Sequence, residues 1–440
     1  MSKDRPNHTD KVQHSSAAGA VDRTNNRRRD MDGILSRQTS LIKNALGPGT
    51  GTNVLLTGGT GFVGDLLIRK YLEQTECKLW VLSRPMGGAT AEERILDRVR
   101  SKDHHRIRVI SGDLSRALNG ENKDSAFPSG LIDTTTQQQY DSYREMIAVV
   151  DEVFHNASYL GLKKSADERQ KCIEVNVRGT KKLLSLMSMF TRGVKAFFYT
   201  STAFVHGRLS GTEEFGEDDA LTNGWLNPYE ESKWKVEKLV RNAGYPYRIF
   251  RPGMIAREQG VDILSSHTIY GVADILESGY KSCHPSESSA PTHLRVKGML
   301  DAAHNIIIRS ELVDMIFDIR ASGHEMNHTY NTLNPVNTRL EDVVYAILHN
   351  LDPAITYEFV SDIDQRRTLN RIELLLERAV YPLYEEYLFK KSPEFSMNNV
   401  RDALGEEYVP EHVTRVDRSL LTKLMEDYFR TKWSRRLPKK

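Results

Sequence analysis

An α/β fold, a doubly wound parallel sheet followed by a smaller and mainly helical C-terminal part, is what this 440-residue sequence predicts. Three features carry that expectation. Apolar runs rich in Val, Ile, Leu and Phe recur as NVLLTGG (53–59), KLWVLSR (78–84), RIRVISGD (106–113), EVFHNA (152–157), AFFYTST (196–202) and YRIFRPG (247–253). Runs of this kind suit strands buried on both faces, as parallel strands are. Helical patterns such as DLLIRKYLEQ and NVRGTKKLLSLMSMF separate most of them, and that alternation covers both faces of a sheet. Beyond residue 260 the rhythm weakens, and from 362 onward Leu369, Ile372, Leu376 and Ala379, then Leu420, Leu424 and Tyr428, repeat at helical spacing.

Taken in order, residues 1–32 are polar and poor in aromatics, the composition of a disordered tail. Ile34, Leu41, Ile42, Ala45 and Leu46 fall at near-helical spacing and predict a short amphipathic helix that closes an N-terminal segment of residues 1–47. The sheet-forming part is expected over 48–260 and the helical part over 261–440, which can still lend strands to the sheet. Residues 115–145, rich in Asn, Ser, Thr and Gln, read as a loop inserted ahead of the fourth strand, and 281–295 as a second loop. ELVDMIFDI and LEDVVYAILHNL read as helices, with HTYNTLN between them as a strand.

Composition excludes several classes of function. No apolar run approaches the ~18 residues that span a bilayer, and the N-terminus lacks the apolar core of a signal peptide. The expected location is cytoplasmic, without integral membrane association. Cys77, Cys172 and Cys283 lie far apart with no C-x-x-C pair, which offers neither a disulfide framework nor zinc-ligand spacing. His104 and His105 share a polar turn, and His14, His267, His284 and His293 have no ligand-like neighbours, so no metal site is expected. Arg27 to Arg29 is too short a basic run to bind nucleic acid. The first 47 residues carry nine Lys/Arg and five Asp/Glu, and the last eleven carry six Lys/Arg and no acid; with a chain total of +2, the body is left at about −8. Basic ends of this kind are either solvated or able to steer an acidic partner.

The sharpest motif is TGGTGFVG, residues 57–64, after a predicted strand and before a predicted helix. Gly58 permits the tight turn, Gly61 lets the backbone approach a pyrophosphate, and Gly64 lets the helix pack on the sheet, with Thr60 and Phe62 in the same loop. The helix N-terminus supplies free N–H donors for phosphate. This is the Rossmann fingerprint, and it makes residues 48–260 the dinucleotide-binding domain. A 2′-hydroxyl would call for an acidic residue about 20 positions on. The second strand instead ends in Ser83 and Arg84, with Arg94 on the next helix. Arginines suit a 2′-phosphate, so the expected cofactor is NADPH. Asp113 and Leu114 after the third strand are placed to meet the adenine, and Asn156 and Ala157 after the fourth to lie along the ribose.

The fifth strand ends in Thr200, Ser201 and Thr202, and LNPYEESKW (226–234) sets Tyr229 and Lys233 one turn apart on a helix entered through Pro228. A lysine ammonium one turn away is expected to lower the phenol's pKa from about 10, and a strand-end hydroxyl to share the substrate oxygen with it.

With TGGTGFVG, LSRP, Arg94, GDL, VFHNAS, NVRGT, YTSTAFVHG, YEESKWKVEKLV and RIFRPGMI in place over roughly residues 53–350, the chain resembles the extended short-chain dehydrogenase/reductases. Within them it is most similar to thioester reductase domains, the reductase domains of carboxylic acid reductases, and fatty acyl-CoA reductases. The resemblance implies Tyr229 as proton donor, Lys233 as its tuner and a ribose ligand, Thr202 as the hydroxyl partner with Ser201 as the alternative, Asn176 as a residue that maintains the site, and Pro252 and Gly253 beside the nicotinamide. It departs from its relatives in IAREQG (255–260), where Ala256 stands at a usual glycine. The implied reaction is NADPH-dependent reduction of an acyl thioester, on coenzyme A or an acidic carrier protein, to an aldehyde, with further reduction to the alcohol left open. A sugar-nucleotide epimerase or dehydratase, another carbonyl dehydrogenase, and a non-catalytic NADPH sensor are the competing readings.

Overall fold

The computed structural model describes residues 52–116, 131–209, 214–217, 224–261, 268–283, 292–363 and 369–434. The N-terminal tail and its expected helix, most of the basic C-terminal tail, and residues 117–130 and 284–291 of the two expected loops lie outside them.

Seven parallel strands form the main sheet: β1 (Asn53–Thr57), β2 (Lys78–Ser83), β3 (Ile107–Ser111), β4 (Glu152–His155), β5 (Ala196–Thr200), β6 (Tyr247–Phe250) and β7 (His328–Tyr330). Their spatial order is β7-β6-β5-β4-β1-β2-β3. All residues of β1 and β5 are buried, which is why the sequence shows unbroken apolar runs rather than alternation. The order reverses direction beside β1, between β1 and β4, and a doubly wound sheet opens its ligand crevice at such a point. The last strand comes from beyond residue 260, with Thr329 opposite Ile249 on β6.

The helices start where local chemistry allows. Helix α1 (Gly64–Gln74) follows the glycine loop with Val63 at its N-cap position and no side-chain cap. Helix α2 (Ala91–Leu96) opens on a Thr90–Glu93 capping box. Helix α3 (Gln137–Val149) corrects the sequence reading, which placed loop through residue 145. It buries only Tyr143, Met146 and Ala148, too sparse an apolar face to announce itself, and its Thr136–Gln139 capping box was the available signal. Helices α4 (Ala166–Cys172) and α5 (Gly179–Met187) are joined by a π-helical turn over Ile173–Arg178. Helix α6 (Pro228–Arg241) begins with Pro228 in its first turn and Asn227 as its cap, accepting from the Glu230 N–H at 3.0 Å.

The C-terminal part has its own apolar core, which includes Tyr270, Leu276, Leu294, Ile347, Leu348 and Tyr428. It is built from helices such as Ile269–Cys283, Leu340–Leu351 and Arg418–Ser434 and from short strand pairs, His293–Lys297 with Thr356–Val360 among them. Two ion pairs, each with a buried arginine, anchor it beside the sheet. Arg257 meets Asp427 of the last helix at 2.9 Å, and Arg309 pairs with Glu258. Both Arg257 and Glu258 belong to the IAREQG departure. No helix among the described residues is long and apolar enough to cross a membrane.

Candidate active site

The glycine loop lies where the strand order reverses. Gly58 has φ +76°, and a Cβ there would stand 2.6 Å from the Ala157 nitrogen after β4. A Cβ on Gly64 would stand 2.0 Å from the Gly58 oxygen. Only glycine serves at either position, the first for its backbone angle and both for space. The uncapped start of α1 leaves backbone N–H groups directed toward this loop, the arrangement that receives a pyrophosphate. Arg309 donates to the Phe62 carbonyl at 3.1 Å and lies over the Phe62 ring at 5.0 Å, bracing the loop from the C-terminal side.

At the end of β2 the two arginines meet. Arg94 donates to the Arg84 carbonyl and to Thr60 Oγ1, the latter at 3.3 Å. Arg84 is half-exposed, with Asp113 Oδ2 3.7 Å from its Nη1. The other oxygen of Asp113 accepts from the Ser115 N–H and hydroxyl at 2.8 and 2.7 Å. Leu114 is buried against Gly179, and its carbonyl accepts from Lys182 at 3.4 Å. Asn156 Nδ2 reaches the Gly58 carbonyl at 3.5 Å, and the Ala157 N–H donates to Thr57 Oγ1 at 3.1 Å. This set fits a nicotinamide dinucleotide: a glycine cradle, an uncapped helix start, and two cations with no carboxylate among the residues that end β2.

A buried chain of hydrogen bonds runs beneath this crevice, and its proton positions follow from one carbonyl. Thr180 donates to the Asn176 carbonyl at 2.6 Å, so it must accept from His155 Nε2 at 2.9 Å. His155 Nδ1 therefore accepts from the Thr57 hydroxyl at 2.7 Å. The imidazole is neutral, and burial, with Lys233 nearby, pushes its pKa down to about 3. Asn176 sits in the π-helical turn, a feature that marks functional sites in helices. Its Oδ1 accepts from the Tyr159 N–H at 2.7 Å, and its Nδ2 donates to the Tyr159 carbonyl at 3.0 Å and to Ser232 Oγ at 2.8 Å. The side chain thus clamps the turn after β4 onto α6.

The structure brings Tyr229 and Thr202 together on one cavity wall, where the Thr202 side chain works against the rise of the Tyr229 pKa. Thr202 also contacts the Pro252 carbonyl at 3.4 Å, and Gly253 lies on the same cavity wall as the pair. Ser201 is turned the other way, donating to Glu237 Oε1 at 2.6 Å. Glu237 is locked in a buried pair with Arg251 at 2.8 Å. Burial alone would raise that carboxyl, but Arg251, Arg241 and the Ser201 hydrogen bond together hold the pKa below the usual value. The alternative hydroxyl is committed to the interior.

Lys233 is buried, donates to the Thr200 carbonyl, and lies 4.5 Å from the Tyr199 ring centroid and 5.9 Å from that of Tyr229. Burial lowers its pKa to about 7, against the pull of Glu237. The expected lowering of Tyr229 by this lysine is not what the structure has. Burial raises the Tyr229 pKa, Cys172 and Glu230 add to the rise, and the Thr202 hydrogen bond opposes it. Tyr229 is consequently a protonated phenol at neutral pH, the form a proton donor requires.

Sequence reasoning missed the groups on the other side of this pair. Glu230 is fully buried and accepts from Tyr387 Oη, from the Leu226 N–H at 2.8 Å and from Asn227 Nδ2 at 3.3 Å. Burial raises its pKa to about 7. Tyr387 comes from the C-terminal helical region and also accepts from Asn227 at 2.6 Å. Thr202, Tyr229, Glu230 and Tyr387 line one continuous cavity of about 280 Å³ whose remaining wall is almost wholly apolar. Among the described residues there is no group of three or more His, Cys, Asp and Glu side chains able to hold a metal.

The family model described as Male sterility protein matches residues 56–125 and 138–293, more than half of the chain. A linear gramicidin synthase of Brevibacillus parabrevis is 26% identical over 67% of this chain, and fatty acyl-CoA reductase wat of Drosophila melanogaster is 30% identical over 46% of it. The aligned stretches make up 5% and 42% of those two proteins. The crystal structure of the terminal R domain from the myxalamid PKS-NRPS pathway superposes with a TM-score of 0.63 at 19% identity, covering 88% of this chain and 92% of that one. That likeness is one of fold. The glycine loop, the nicotinamide-cofactor crevice and the match along the chain lead to one statement of kinship: this chain belongs to the Male sterility protein family, within the extended short-chain dehydrogenase/reductases.

Proposed function

We propose that this chain is an NADPH-dependent reductase of acyl thioesters, releasing an aldehyde and a free thiol. One observation carries the reading: the Tyr229–Thr202 hydroxyl pair stands where the dinucleotide crevice meets an apolar cavity. When bound, the dinucleotide would supply a hydride to the thioester carbonyl carbon. Thr202 and Tyr229 hold the carbonyl oxygen, and Tyr229 gives it a proton as negative charge develops there. The product of that addition is a hemithioacetal. Its hydroxyl proton returns to the Tyr229 phenolate as the carbon–sulfur bond breaks, the thiolate takes a proton from solvent, and the aldehyde remains. Lys233, whose pKa burial lowers to about 7, stabilises the phenolate between these steps in its ammonium form. A second molecule of NADPH would allow the same pair to take the aldehyde on to the alcohol.

Arg84 and Arg94 support NADPH over NADH, because they place cations, with no acid among the residues that end β2, where the 2′-phosphate belongs. The thiol is the pantetheine arm of coenzyme A or of an acidic carrier protein, the carrier matched to the basic residues at both ends of the sequence. In this reading residues 48–260 bind the cofactor and 261–440 bind the substrate. The sugar-nucleotide alternative finds little support in a cavity wall that offers sugar hydroxyls so few free partners. The test is NADPH and NADH oxidation in the presence of acyl-coenzyme A and acyl-pantetheine, with thiol release followed in parallel. Matched NADPH loss and thiol release supports the reading, and tight NADPH binding with no thiol released overturns it.

A further inference from the structure

Resting on the thioester-reductase reading, the cavity says which acyl group is reduced. Its wall beyond Tyr229 is made by residues such as Ile269, Leu276, Leu294, Ile347, Leu348 and Val380. All six are buried members of the second apolar core. Most of the wall lies after residue 293, outside the stretch that matches the family model. The acyl specificity is therefore written into this chain's own C-terminal part.

Four polar side chains on that wall, Glu230, His304, Thr338 and Tyr381, already have partners. Among the described residues, Glu230 and His304 are the only lining side chains that carry a carboxyl or an imidazole. Glu230 is held by Tyr387, Leu226 and Asn227. His304 is bonded to Ser392 Oγ at 3.0 Å and to the Tyr387 carbonyl at 2.6 Å. Thr338 donates to the Val416 carbonyl at 2.9 Å, and the Tyr381 hydroxyl accepts from the Lys297 N–H at 3.0 Å. An amide or a sugar hydroxyl entering this space would exchange water for groups already paired, and each unpaired polar group is disfavoured there. A hydrocarbon chain loses nothing by entering.

We infer that the substrate is the thioester of an unsubstituted aliphatic acid, whose chain lies in this cavity with its carbonyl at Tyr229 and Thr202. The volume of about 280 Å³, at roughly 30 Å³ for each methylene-sized unit, holds a chain on the order of ten carbons. Peptidyl and aminoacyl thioesters are excluded by the same wall.

The experiment measures kcat/KM with NADPH for coenzyme A thioesters from acetyl to hexadecanoyl, and for glycyl- and dipeptidyl-pantetheine. The expected result is a rise of about fourfold per added methylene, the equivalent of ~0.8 kcal/mol each, up to a maximum near ten carbons, with the aminoacyl and peptidyl thioesters far below. Two variants narrow the cavity from different helices, Val344→Phe and Val272→Phe, so that failure of one to fold leaves the other. Either is expected to cut the decanoyl rate at least about tenfold while butanoyl reduction stays within about twofold and NADPH affinity is unchanged. Rates independent of chain length, or faster reduction of a peptidyl thioester than of decanoyl-coenzyme A, overturn the inference. No turnover of any thioester by protein that binds NADPH overturns the reductase reading beneath it, which is a distinguishable result.

Discussion

Replacing Glu230 by glutamine should make the protein's stability less sensitive to alkali, by an amount the site itself sets. The carboxyl is fully buried, and its pKa is pushed up from 4.5 to about 7 by burial. Tyr387, the Leu226 N–H, Lys390 and Asn227 each pull the other way and do not offset it. A carboxyl raised in the folded state holds its proton while the unfolded chain has lost it, so stability falls as pH rises between about 4.5 and about 7 and stays reduced above that window. A shift of about 2.5 units at ~1.36 kcal/mol per unit gives a penalty on the order of 3 kcal/mol for the ionised form. Glutamine keeps an acceptor for Tyr387 and cannot ionise. Urea denaturation followed by circular dichroism, on both proteins from pH 5 to pH 8.5, should show the variant gaining on the wild type by about 2.5 kcal/mol across the range. A difference that stays within about 0.5 kcal/mol at every pH would refute the buried, ionisable Glu230 on which the reasoning rests.

Tyr229→Phe should reduce kcat at least about 100-fold with NADPH affinity retained, read by cofactor fluorescence titration; turnover above a tenth of the wild-type rate would remove it as proton donor. Arg84→Ala should weaken NADPH binding about 10- to 100-fold and leave NADH nearly unchanged, and an equal loss for both cofactors would contradict the 2′-phosphate assignment. The neighbours Thr202 and Ser201 should separate cleanly. Thr202→Val is expected to lower kcat about 100-fold at constant thermal midpoint, whereas Ser201→Ala should lower stability by about 1–3 kcal/mol and leave kcat within about twofold; the reverse pattern would exchange their roles.

The parallel sheet could be read from the sequence because burial on both faces leaves unbroken apolar runs, as in the fully buried β1 and β5. Helix α3 could not, since Gln137 to Arg144 is nearly all polar and the helix rests on the sheet through three side chains. The glycine loop, Arg84 and Arg94, and the Tyr229–Lys233 pair were legible because their spacing is local. The choice between Thr202 and Ser201 was not, because adjacent residues of extended chain point to opposite faces and only the fold shows that Ser201 faces Glu237. The direction of the Tyr229 shift was misread for a similar reason. Helical spacing places Lys233 on the same face, but its ammonium is drawn to the Thr200 carbonyl and the Tyr199 ring, and burial decides the sign. Tyr387 reaches Glu230 from 157 positions away, a contact with no trace in local pattern.

The most direct measurement of the central claim follows the hydride itself. Decanoyl-coenzyme A is incubated with NADPH carrying deuterium at the transferable position of the nicotinamide, the products are analysed by mass spectrometry, and released thiol is titrated in the same sample. One deuterium at the carbonyl-derived carbon of decanal, with one thiol released for each NADPH consumed, is the predicted result, and decanol with two deuteriums and two NADPH per thiol marks the second reduction. Thiol release without NADPH consumption, or NADPH consumption with the thioester intact, would contradict it.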